Sequence, residues 1–237
     1  MAELTLTADT QVSAIAAAYP ATLRMMEALG IDYCCGGKLP LREAAAKAKA
    51  PLETVLAVLQ AAITQAAAEK TTERDWQQAP LDELQAHIIA THHAFLWKEL
   101  PRLEGLLALV ARVHGPNHSD VLQPLLETYT ALADELSAHL QKEEQIIWPA
   151  ITRALAGDRS AEVATAIADL NAEHDAAGAL LAKMREVTHN YELPADACNT
   201  FRAVYDGLQQ LEQDIHRHIH KENNILFPRV LKQVGDR

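Results

Sequence analysis

The sequence predicts an all-α protein: a four-helix bundle preceded by a small helical domain. Three observations carry this. Of 237 residues, 49% are apolar, yet only three are Phe and nine are Gly; Ala, Leu, Glu and Gln dominate, and these are strong helix formers. Apolar residues recur at helical spacing along the chain, with no competing strand-like alternation. From Leu81 onward the helical segments are long and the loops short, which makes successive helices antiparallel neighbours.

The elements follow in order. Residues 1–68 read as a small domain of short helices. Pro20 opens and Gly30 closes PATLRMMEALG, using proline at a helix start and glycine just past its end. IDYCCGGKLP reads as a loop by its Gly-Gly and Pro, LREAAAKAKA as a helix, and PLETVLAVLQAAITQAAAEK as a longer one behind Pro51. The polar stretch 69–80, EKTTERDWQQAP, reads as a linker. The bundle occupies 81–237. Its first helix runs from about Leu81 to His114, with Pro101 as a point of bending. The loop GPNHSD leads to the second, about Val121 to Leu155. GDRS opens the third, about Ala161 to Asn190, and YELP the fourth, about Ala195 to Val230.

The formal charge of −11 argues against a nucleic-acid backbone or an anionic membrane as partner. No charged stretch followed by an apolar one opens the chain, and no apolar run reaches the roughly 18 residues of a membrane span. Three cysteines, two of them adjacent, make no disulfide framework. The expected compartment is the cytoplasm.

One phrase is written twice. Residues 139–149 read HLQKEEQIIWP and residues 218–228 read HIHKENNILFP. The alignment pairs His139 with His218, Lys142 with Lys221, Glu143 with Glu222 and Pro149 with Pro228. Asn223 stands opposite Glu144, so Glu143 is the shared carboxylate. Helices one and three carry a fainter echo, His93 in IIATHHAFL and His174 in LNAEHDAAG. A lone His-x-x-x-Glu pair is commonplace on a solvated helix face. Its duplication, with a histidine on each of the other two helices, favours an inward-facing set of four imidazoles and two carboxylates.

Residues four apart share a helix face, so each pair can aim at one point. Buried carboxylates without compensation cost several kcal/mol each, and metal ions are the economical compensation. Nitrogen and oxygen donors without thiolate suit iron, manganese or zinc. Two glutamates can bridge two ions and four histidines divide two to each, leaving an open position for a small molecule. Glu135 and Asp214, four residues before His139 and His218, are placed to accept the distal ring N–H of those histidines, as the outer partners of metal ligands usually do.

With His93, His139-x-x-x-Glu143, His174 and His218-x-x-x-Glu222, the chain resembles the haemerythrin-like domain of the iron–sulfur cluster repair di-iron (RIC) proteins. IDYCCGGK, with Cys34 and Cys35, resembles the short domain that precedes the bundle in that family, so the likeness covers nearly the whole chain. It implies a cytoplasmic, homodimeric protein with two non-haem, oxo-bridged iron ions, four terminal histidines and two bridging glutamates. The implied partners are iron–sulfur proteins damaged by nitrosative or oxidative stress, with NO or O2 as small-molecule ligand. Repair would proceed by iron donation, or by NO binding and reduction, which leaves open whether the protein is an enzyme. The alternative is a haemerythrin-like sensor or binding protein for O2 or NO. Oxygen-carrying haemerythrins use more histidine; Glu222 replaces one here, which speaks against O2 transport. Glu173, beside His174, matches an acidic position of the family and is expected to line a route to the metals.

The remaining histidines (His87, His92, His114, His118, His189, His216 and His220) are expected on the surface or just behind the ligands. Cys34 and Cys35, flanked by two glycines, are expected to be accessible and to serve redox chemistry, metal handling or client contact. Cys198, early in helix four, is expected to be a buried small hydrophobe.

Overall fold

The computed structural model describes residues 4–69, 74–157 and 162–235. All regular structure among them is helical: α1 (Val12–Ala18), a 3₁₀ turn (Pro20–Thr22), α2 (Leu23–Leu29), α3 (Leu41–Lys47), α4 (Leu52–Glu69), α5 (Leu81–Ile88), α6 (Ala94–Lys142), α7 (Trp148–Leu155), α8 (Glu162–Val187), α9 (Asn199–Lys221) and α10 (Phe227–Gly235). Three π-helical turns interrupt the series, at Ile89–His93, Glu143–Ile147 and Glu222–Leu226. Of the linker read at 69–80, residues 70–73 lie outside the described residues, as do 158–160 of GDRS and Ala161. Among the described residues no single helix is long and apolar enough to cross a membrane.

By backbone contacts the chain divides into two compact units, 1–84 with 216–232 and 85–215 with 233–237. The boundary between Ile215 and His216 falls inside one continuous helix, α9.

The first unit buries Val12, Ile15, Met26, Leu41, Val55 and Leu59. Gly30 ends α2 in the left-handed conformation (φ 69°), its N–H turned back on Glu27 and Met26 carbonyls, the helix-closing role that glycine fills at least cost. Residues 216–232 are tied into this unit. Arg217 forms a two-pronged ion pair with Glu27, both contacts at 3.0 Å, and Glu27 also accepts the Tyr33 hydroxyl at 2.8 Å. Arg229 donates to the Trp76 and Ala79 carbonyls at 2.7 and 2.6 Å.

The second unit contains the long helices α6 and α8. Leu96, Leu100, Leu103 and Leu107 form one buried stripe and Leu122, Leu125, Tyr129, Leu132 and Leu136 another, the spacing of a helix face turned to a core. The break expected at GPNHSD is present but shorter than a loop: the long helical segments on either side meet at His118, which lies inside that stretch and has a non-helical backbone (φ −136°, ψ 33°), whereas Pro101 stands within the helix without such a departure. Tyr129 donates to the Leu100 carbonyl at 2.7 Å, which fixes the two halves of α6 against each other. Arg185 and Tyr191 both reach the buried carboxylate of Glu212, joining α8 to α9. Gly207 brings α9 close to α6, since a Cβ there would sit 2.5 Å from Leu103 Cδ2.

Candidate metal centre

Six side chains make up the candidate centre, and three of them stand at one end of a π turn. His93 closes the turn Ile89–His93, Glu143 opens Glu143–Ile147 and Glu222 opens Glu222–Leu226. Such single-turn bulges inside α-helices are common at functional sites. His139 lies on α6, His174 on α8 and His218 on α9.

The side chains are dry. Glu143 and Glu222 have no exposed surface, and the four histidines are buried. His93 Nε2 is 3.3 Å and His139 Nε2 3.5 Å from the two oxygens of Glu143. His174 Nε2 faces His139 Nε2 at 3.1 Å, and His218 Nε2 is 2.8 Å from Glu222 Oε1. Ligand atoms of His93, Glu143, His218 and Glu222 lie within 4.8 Å of one another, and so do those of His139, Glu143, His174 and Glu222. Both carboxylates belong to both groups. The donor set fits a metal site: hard oxygens and imidazole nitrogens converge where uncompensated negative charge would be costly.

The second layer departs from expectation. His139 Nδ1 meets Glu173 Oε2 at 2.6 Å, not Glu135, and Lys142 Nζ holds the other oxygen of Glu173 at 2.6 Å. Burial raises the Glu173 pKa, but the bonds from Lys142 and His139 outweigh it and hold the carboxyl below its usual range. Asp214 meets His92 Nδ1 at 2.9 Å rather than serving His218. At His139 the same-helix pairing is displaced by an acid from a neighbouring helix, and at the other copy Asp214 is taken up by His92. Glu144 has no role in the repeat, which replaces it with Asn223. It nonetheless bonds His93 Nδ1 at 2.9 Å and accepts the Trp97 indole N–H at 3.1 Å. Trp97 stands four residues after His93, and that spacing was the available signal.

A cavity of about 480 Å³ opens beside His139 and His174, with Glu135, Lys142 and Glu173 in its lining. Glu135 and Glu173 thus share a cavity wall, but only Glu173 touches a histidine of the cluster.

The cysteines reverse the expectation. Cys34 is buried, Cys35 is partly buried and Cys198 is exposed. The Asp32 carboxylate accepts the backbone N–H groups of Cys34, Cys35 and Gly36 at 3.0, 3.0 and 2.8 Å, an Asx-type turn that winds the loop tightly. Gly37 serves close packing rather than flexibility: a Cβ there would lie 2.6 Å from the Tyr33 carbonyl oxygen. The Cys34 thiol is pushed up by the neighbouring Cys35 sulfur and by burial. Asn224, two residues after Glu222, donates to the carbonyls of Tyr33 and Cys34 at 3.2 and 3.4 Å.

Among the other histidines, His92 and His220 are buried. His220 packs edge-on to Tyr33, 5.5 Å between ring centroids, and burial lowers its pKa to about 4, so it is neutral at physiological pH.

Comparison with known proteins agrees with this geometry. The family described as Hemerythrin HHE cation binding domain matches residues 84–230, and a domain of unknown function, DUF542, matches residues 8–63. The protein named iron–sulfur cluster repair protein YtfE of Pectobacterium carotovorum is 37% identical over 224 residues, covering 94% of this chain and 97% of its own. The proteins of the same name from Escherichia coli O157:H7 and Shigella boydii are 37% and 36% identical over 223 residues, with the same coverage.

Proposed function

The chain belongs to the haemerythrin HHE family and, within it, to the YtfE-type iron–sulfur cluster repair proteins, and from that premise we propose that its cluster holds two iron ions and serves the repair of damaged iron–sulfur proteins. His93, His139, His174 and His218 are the terminal ligands in this reading, and Glu143 and Glu222 the bridges. The observation that carries it is the membership of both carboxylates in both four-residue groups: one ion needs one such group, and two adjacent ions sharing two bridges need this arrangement. When bound, iron supplies one-electron redox chemistry and an open position for a diatomic ligand such as NO or O2.

The chain's own residues have separable tasks. Glu144 and Glu173 accept the distal ring N–H of His93 and His139, which fixes each tautomer with Nε2 facing inward and raises the ring's basicity. Lys142 neutralises Glu173 at the cavity wall. Because the cavity is lined by His139 and His174 and not by His93 or His218, small ligands or exchanging iron are expected to pass on the side of the first pair. The cytoplasm as compartment, a homodimer as assembly, and residues 1–68, 69–80 and 81–237 as small domain, linker and bundle belong to the same proposal.

Mixing iron-loaded protein with an enzyme whose cluster has been destroyed by NO tests it. Recovered activity, absent with the His218→Ala variant, is the expected result. No recovery, with iron retained and NO bound, would replace repair with sensing.

A further inference from the structure

Cys34, Cys35 and the π turn Glu222–Leu226 all belong to the first unit, and one side chain joins them. Asn224, in the middle of that turn, donates through its side-chain nitrogen to the Tyr33 and Cys34 carbonyls at 3.2 and 3.4 Å. The same nitrogen stands 3.1 Å from His220 Nδ1. On the other side of the loop, the Asp32 carboxylate accepts the backbone N–H groups of Cys34, Cys35 and Gly36. Asp32 also accepts the Cys34 thiol at 3.2 Å, and the Cys34 and Cys35 sulfurs are 3.8 Å apart. The peptide between the two cysteines is thus held from both sides, its carbonyl by Asn224 and its N–H by Asp32.

We propose that Cys34 and Cys35 close to a reversible disulfide that loosens the hold of the Glu222 turn on iron, so that oxidation of the pair by a peroxide favours release of the metal. This deepens the reading of the metal centre given above and rests on it. The coupling follows from chain geometry. Neighbouring Cα atoms are about 3.8 Å apart across a trans peptide, short of the roughly 4.4–6.8 Å that a relaxed disulfide spans. Closing the bond therefore turns the peptide between the cysteines, and its carbonyl leaves Asn224. The turn that Glu222 opens then loses a tether two residues from the ligand.

The step divides between the two thiols according to their surroundings. Cys35 is the more exposed and takes the oxygen: its sulfur attacks hydrogen peroxide, the O–O bond breaks, and a sulfenic acid and one water result. The Cys34 sulfur then attacks the Cys35 sulfur. The S–S bond forms, the S–O bond breaks, and the departing hydroxide leaves as a second water with the proton that Cys34 gives up through Asp32. Two thiols are oxidised and one peroxide is reduced. A dithiol reductant reverses the change.

The test uses full-length, metal-free protein treated with hydrogen peroxide and freed of excess. Peptide mass spectrometry without reduction is expected to show the segment carrying Cys34 and Cys35 lighter by two hydrogens. Chelator competition for Fe(II) under anaerobic conditions should then show binding weakened about five-fold, the factor that one ordinary hydrogen bond carries, and restored by dithiothreitol. Cys35→Ser should bind like the reduced wild type with or without peroxide. Asn224→Ala should be weakened already and lose nothing further on oxidation. Absence of the Cys34–Cys35 bond would overturn the proposal, and so would a bond that leaves Fe(II) affinity unchanged; both leave the metal centre itself standing. Reduced protein that binds no iron would instead remove the metal reading, and this proposal with it. The wild-type comparison needs no variant to fold.

Discussion

The two copies of the repeated phrase share their ligand chemistry and differ in what stands behind it. In the first, Glu143 opens a π turn after α6, His139 is backed by Glu173 and Lys142, and a cavity of about 480 Å³ lies alongside. In the second, Glu222 opens an equivalent turn after α9, but Asn224 and His220 pack onto Tyr33 and Cys34, and Arg217 is locked to Glu27. The first copy is built for access and the second for bracing. A repeat can thus conserve the ligands and divide the labour through residues one to three positions away.

The strongest way to break this comparison is to remove the charge the two copies share. Glu143→Gln and Glu222→Gln should each abolish the stabilisation that iron confers, which at one hundred times the dissociation constant is about 2.7 kcal/mol and for a chain of this length roughly 5–10 °C in Tm. In metal-free protein the same changes should leave stability unchanged or raise it, because a neutral amide replaces a costly buried charge. Differential scanning calorimetry with and without Fe(II) reads both signs, and a loss of equal size in both states would mean the carboxylates are structural only.

Next in size are the outer partners. Glu173→Gln and Glu144→Gln should weaken iron binding by about 10- to 100-fold, whereas Glu135→Gln should leave it close to wild type. Competition with a chelator of known affinity measures this, and an equal loss at Glu135 would restore the same-helix pairing that the geometry rejects.

The bracing of the second copy gives a smaller effect. Asn224→Ala removes the donor shared by the Tyr33 and Cys34 carbonyls, which should cost about 1–2 kcal/mol in denaturant unfolding and speed alkylation of Cys34. Labelling of Cys198, which lies in the other unit, should not change. Smallest is Gly207→Ala, where a gain of about 1 kcal/mol in helix propensity opposes a crowding cost of about 1–3 kcal/mol against Leu103. A net loss of about 1 kcal/mol is expected by the same unfolding measurement.

The helical fold and the convergence of the six side chains were legible in the sequence, because both rest on periodicity. Apolar stripes at helical spacing specify helices, and a His-x-x-x-Glu phrase repeated on two of them specifies a shared face. What eluded reading depends on neighbours that periodicity does not encode. Glu173 displaces Glu135 beside His139 because α8 packs there, and Glu144 matters although its counterpart is Asn223. The break within 115–120 is legible from Gly115, Pro116 and Asn117, but its narrowing to the single residue His118 is not. The glycines beside Cys34 and Cys35 suggest access, but Asp32 and the close approach of Gly37 wind that loop shut. Most free cysteines are buried, but Cys198 stands just before α9 at the surface.

Iron stoichiometry tests the two-ion centre most directly. Protein purified anaerobically, loaded with Fe(II) and freed of excess should contain about two irons per chain, with Mössbauer spectra of an antiferromagnetically coupled pair after oxidation, and His218→Ala should lose at least one of them. One iron or fewer per chain, or a content indifferent to His218, would contradict two ions bridged by Glu143 and Glu222.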